Sequence, residues 1–140
     1  MADQLEEFKS RIEDLISQFE RGIDQTEWAI RRYPKKFRDD ARQIREIPAL
    51  FLQKGPIKLL LDPIGYDVPG AEGVADIYLM PAYDPEASIY FENGQWMIHY
   101  DVPPVPLETH SVVEAQPLPV TDGSINQVLN SIAEHAIPSV

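Results

Sequence analysis

The chain has 140 residues, 44% of them apolar and 25% charged, with no cysteine and a formal net charge of −11. Its length suits one domain with a real hydrophobic core, and the lack of cysteine excludes disulfides, thiolate catalysis and cysteine metal sites. Charge is divided unevenly: residues 1–58 carry all 12 Lys and Arg against 11 Asp and Glu, while residues 59–140 carry 12 acids and no Lys or Arg.

Residues 3–23 read as a helix. Leu5, Phe8, Ile12, Leu15 and Phe19 recur at alternating spacings of three and four, and Ile16 and Ile23 widen the stripe. That is the period of one apolar helix face. Its heptad component also fits a seam with a second copy, a possible homodimer through Leu5, Phe8, Ile12, Leu15 and Phe19. Packing on the chain's own sheet is the favoured expectation, because Gly22 interrupts the pattern.

A short helical piece is expected through Trp28 and Ile30, broken at Tyr33-Pro34. Pro34 suits the first position of another helix over 34–47. Phe37, Ala41, Ile44 and Ile47 would share a face there, and Pro48 would end it. Residues 49–54 read as one more helical turn.

From Ile57 the pattern changes. Ile57 to Leu61 reads as a buried strand, and residues 62–73, with three glycines and two prolines, read as a loop. Val74 to Met80 alternates, with Ala75, Ile77 and Leu79 on one side and Asp76 and Tyr78 on the other. Next comes the sharpest local signal, Asn93-Gly94 between Ala87–Glu92 and Gln95–Asp101. Asn-Gly suits a type I′ turn, whose central residues both need positive φ. A two-residue loop sets the register: Phe91 opposite Trp96, Ile89 opposite Ile98, Ala87 opposite Tyr100. These six form the core side, and Ser88, Tyr90, Glu92, Gln95, Met97 and His99 form the other. Residues 102–121 are proline-rich, with Pro103-Pro104-Val105-Pro106 as a rigid connector and Thr109–Ala115 as an edge strand. A closing helix is expected over 124–136, with Ser124 and Gln127 as its capping box.

The predicted fold is α+β: N-terminal helices packed on a four- to five-stranded, mainly antiparallel sheet, with a C-terminal helix. It forms a single domain, helical over 3–54, sheet over 57–116 and helical again over 124–136.

No motif for nucleophilic catalysis, phosphate cradling or zinc hydrolysis is present. His99 shares its sheet face with Asp101, a weak pair for general-base or metal chemistry, with Glu114 as a conceivable third ligand. His135 suits a helix end, and His110 has no assigned role. No cofactor and no metal are expected. On a helix, Lys35, Arg38, Arg42 and Arg45 would form a basic stripe within Arg31–Arg45, able to follow a phosphate backbone. Asp39, Asp40 and the acidity elsewhere speak against nucleic acid. The semi-apolar sheet face of Tyr78, Tyr90, Glu92, Met97 and His99 is the expected partner-binding surface.

These features favour a non-enzymatic interaction module, an adaptor, inhibitor, immunity-type or regulatory factor, that binds a basic protein partner. A small enzyme or ligand-binding domain with a pocket near His99 and Asp101 is the alternative, and a nucleic-acid binder is the third reading. No apolar run approaches the ~20 residues of a membrane span. The acidic start, residues 1–7, is unlike a basic leader, so a cytoplasmic protein without membrane contact is expected.

Overall fold

The computed structural model describes residues 4–102, 113–114 and 116–136. Its elements, in order, are helix α1 (Gln4–Gly22), strands β1 (Ala29–Arg38), β2 (Ile44–Lys54), β3 (Ile57–Gly65), β4 (Val74–Leu79), β5 (Asp84–Glu92) and β6 (Gln95–Val102). The short strands β7 (Val113–Glu114) and β8 (Leu118–Pro119) and helix α2 (Asp122–His135) complete the chain. The fold is therefore α+β. The sheet is an antiparallel meander in the order β1-β2-β3-β4-β5-β6-β7, with β8 also paired to β6. It has more strands than the four or five expected.

Helix α1 lies where its apolar period placed it. Leu5, Phe8, Ile12, Leu15, Ile16 and Phe19 are all buried, in one core cluster with Leu50, Leu59, Ile77, Ile89, Ile98 and Leu129. The stripe that fitted a seam with a second copy thus packs on the chain's own sheet, and none of its residues is open for one. Glu6 and Glu7 in the first turn and Arg21 in the last complement the helix dipole. Gly22 ends the helix against α2, where a Cβ would come within 2.6 Å of the Asp122 carboxylate. Asn126 clasps the junction, donating from Nδ2 to the Gly22 carbonyl (2.7 Å) and accepting from the Asp24 amide (3.2 Å).

The largest departure from expectation lies in residues 29–54. They form no helix but the hairpin β1–β2, with ten pairs from Ala29 opposite Gln53 to Arg38 opposite Ile44. Ala41 falls in the turn and Ile44 is exposed, so two of the four supposed helix-face residues serve no core. The turn closes on Asp39, whose carboxylate accepts from the Gln43 amide (2.9 Å), with Arg42 at φ 63°. Pro34 and Pro48 face each other in mid-hairpin. Neither breaks a ladder, because β1 is an edge and β3 pairs with β2 only over Leu50–Lys54. At this proline pair the inward parity changes: Ile30, Leu50 and Leu52 face the helices before it, Phe37, Arg45 and Ile47 after it.

The rest follows the sequence more closely. Strand β3 runs four residues past Leu61, and β4 alternates as expected. The β5–β6 hairpin turns at Asn93 (φ 51°) and Gly94 (φ 82°), with the register Phe91–Trp96, Ile89–Ile98 and Ala87–Tyr100. Helix α2 starts two residues before Ser124. Its capping box is Thr121 with Ser124, each accepting from the other's amide (3.1 and 2.9 Å). The proline group 103–106, His110, the side chains of Asp101 and Glu114, and most of the expected strand 109–115 lie outside the described residues. Among the described residues no helix is long and apolar enough to cross a membrane.

Phe8 is fully buried, its ring 6.0 Å from Phe37 and 5.7 Å from Tyr66. Phe8→Ala is therefore expected to lower unfolding free energy by about 3–5 kcal/mol in urea titrations. A loss below about 1 kcal/mol would contradict the seating of α1 on this sheet.

Candidate docking face of the sheet

Alternation along each strand sends one set of side chains inward to the helices and the other outward. Both helices occupy the inner face: α1 packs on β2 and on α2, and the Tyr100 hydroxyl meets Ser131 Oγ of α2 at 2.9 Å. Among the described residues, no helix crosses the outer face. Cross-strand register carries that face along the meander. Arg31 lies opposite Phe51, Phe51 opposite Leu60 and Leu60 opposite Tyr78; farther on, Asp76 lies opposite Ser88 and Ser88 opposite His99.

The face has two chemically different ends. At the β1–β3 end Phe51 lies between Tyr33, edge-on at 5.5 Å, and the Arg31 guanidinium, 5.6 Å from its ring centroid. Leu60 is 5% exposed although it faces outward, because Phe51 and Tyr78 flank it. At the β5–β6 end the Tyr90 and His99 rings meet edge to face at 4.8 Å, and His99 Nε2–H donates to Glu92 Oε1 at 3.1 Å. Met97 lies directly opposite Tyr90.

Tyr78 stands between these ends. Its hydroxyl donates to Asp76 Oδ2 at 3.0 Å, and its ring packs edge-on against Tyr83. Burial is the main reason that the Tyr78 phenol is pushed up to about 12; the hydrogen bond to Asp76 and the charges of Asp76 and Asp62 add to it. The β4–β5 ladder bulges here, with Glu86 left unpaired between Pro85 and Ala87. Burial and the neighbouring Asp84 push the Glu86 carboxyl up.

The expected surface residues Tyr90, Glu92, Met97 and His99 thus form one patch, and Tyr78 joins the same face through β4. His99 meets Glu92 across the hairpin, seven residues back in the chain. Among the described residues no group of three His, Asp or Glu stands together as a metal site. The basic stripe does not form, because its residues sit on strands and a turn. Lys35 binds Asp62 (3.0 Å) and the Pro63 carbonyl (2.7 Å). Arg38 donates to the Arg42 carbonyl (3.1 Å), and Arg45 pairs with Glu6 and, at 3.5 Å, Asp39.

Sequence reasoning missed Tyr33, Phe51 and Leu60 on this face. Tyr33 falls at the expected break between two helices and Phe51 in an expected helical turn, and Leu60 sits in an unbroken apolar run where alternation is invisible. It also passed over Asp76, though the alternation of β4 already put it beside Tyr78.

A raised carboxyl pKa means that the folded state holds its proton after the unfolded chain has lost it. Ionised Glu86 is therefore a burden that grows as pH rises through and above the ordinary glutamate range. Glu86→Gln is expected to raise the melting temperature at pH 7, with the gain fading below that range. A gain equal at all pH values would contradict the assigned cause.

The chain matches no protein-family model, no curated protein and no solved structure.

Proposed function

We propose that this protein is a non-catalytic docking module whose outer sheet face, at the β4–β6 end, receives a cationic segment of a partner protein in the cytoplasm. One observation carries the reading: carboxylates and aromatic rings share a sheet face that no described helix covers. Asp62 and Glu72 are paired with Lys35 and Arg11. Asp76, Asp84, Glu86 and Glu92 make no ion pair with Lys or Arg among the described residues. The chain's own cations are spent largely within its first half, as in Arg32–Glu20, Arg45–Glu6 and Lys54–Glu27. The negative half therefore keeps charge for an external cation. Tyr90 and Tyr78 add ring surface of the kind that interfaces enrich and that attracts Lys and Arg. His99, held by Glu92 and Tyr90, serves as part of the surface.

The test is selection from a random 15-residue peptide library against the whole chain, followed by affinity measurement of the winners. Enrichment in Arg and Lys beside an apolar residue is expected. Affinity should fall at least about tenfold, or ~1.4 kcal/mol, in the double variant Asp76→Asn, Glu92→Gln. It should also weaken as salt rises from about 0.05 to 0.5 M, since surface attraction is screened. Winners that lack cations, or that ignore both the variant and the salt, would overturn the proposal.

A further inference from the structure

The opposite end of the outer face carries a different site. A hollow of about 280 Å³ opens there, lined by Ala29, Arg31, Phe51, Gln53 and Lys58 among others. We infer that this hollow binds a small planar anion, an aromatic or heteroaromatic ring bearing a carboxylate or phosphate group. The inference goes beyond the docking reading and does not depend on it.

Three observations carry it. The first is charge. In a chain of net charge −11, Arg31 and Lys58 stand on the rim of one hollow, and neither makes an ion pair among the described residues. Lys35 and Arg32, close by on β1, are both held by carboxylates. The second is the platform. Phe51 is half-buried, its position set by Tyr33 and by Arg31 across the ladder. A ring entering the hollow can stack on Phe51 or on the guanidinium plane, while Arg31 offers a fork of N–H donors to an oxyanion. Ala29, exposed and opposite Gln53, presents only a methyl group, so the hollow stays open at that side. The Gln53 amide nitrogen is engaged, donating to the Gly55 carbonyl at 3.0 Å, which holds that side chain beside the tight β2–β3 turn.

The third is size. The hollow lies near the lower limit of ordinary ligand sites, and its volume corresponds to roughly nine waters. That admits one or two fused rings with an acidic group and excludes large cofactors. Its walls rest on the core, because Ile30 and Leu52, which also line it, pack into the main cluster.

The test is a two-dimensional amide NMR titration of the full chain with benzoate, with adenosine monophosphate and with neutral benzamide. At least one anion should give saturable shifts confined to residues 29–31, 51–53 and 58, with Kd below about 1 mM, and benzamide should bind at least about tenfold more weakly. A response to benzoate alone assigns a carboxylate, and a response to the nucleotide alone assigns a phosphate. Arg31 and Lys58 are exposed, so Arg31→Gln and Lys58→Gln should leave the melting temperature unchanged and weaken binding at least about fivefold each. Equal binding of benzamide, shifts that do not saturate, or variants that bind like the parent would overturn the inference.

Discussion

An antiparallel meander has two faces, and the two helices among the described residues are both committed to the same one. The commitment is enforced by burial. Helix α1 carries six fully sequestered apolar side chains and α2 carries Ile125, Val128, Leu129 and Ile132. Each buried side chain of this kind is worth roughly 1.5–3 kcal/mol relative to exposure. The helices also bind each other end to end, through Gly22, Asp122 and Asn126. Neither can cross to the other side without giving up that core. Both the carboxylate-rich surface and the Arg31–Lys58 hollow lie on the face thereby left over.

The leftover face is graded rather than uniform. Arg31 and Lys58 mark one end, and Asp76 and Glu92 mark the other. The imbalance in the sequence, with no Lys or Arg after Lys58, maps onto this gradient because a meander lays out its strands in chain order. Early strands bring cations and late strands bring carboxylates. A docked segment can thus meet opposite charge at either end, and aromatic contact from Phe51 to Tyr90 lies between.

Legibility in the sequence followed how local the determining physics is. The Asn93-Gly94 hairpin was readable to the residue, because two positive-φ positions and strict alternation act over a dozen residues. Helix α1 is readable because its period runs unbroken from Leu5 to Phe19, about four turns. Residues 29–54 were not, and the cause is specific. Phe37, Ala41, Ile44 and Ile47 mimic a helix face, and Pro34 and Pro48 resemble helix ends. In the fold the prolines oppose each other beyond the reach of β3, a non-local fact. The parity change at that pair hid the strand alternation as well. The candidate surface is legible where it rests on β4–β6 and illegible where it rests on β1 and β2, since residues 29–54 read as helical and form a hairpin instead.

The central claim is that the outer face of the sheet is open to solvent while the inner face is sealed. Trp96 and Met97 are chain neighbours on opposite faces: Trp96 is buried, with its indole Nε1–H donating to the Arg11 carbonyl at 3.1 Å, and Met97 lies beside Tyr90. Hydroxyl-radical footprinting of the whole chain, normalised to the urea-unfolded protein, separates them directly. The account predicts oxidation of Met97, Tyr90 and Tyr33 several-fold faster than of Trp96 and Phe8. Protection of Met97 and Tyr90 equal to that of Trp96 would contradict it.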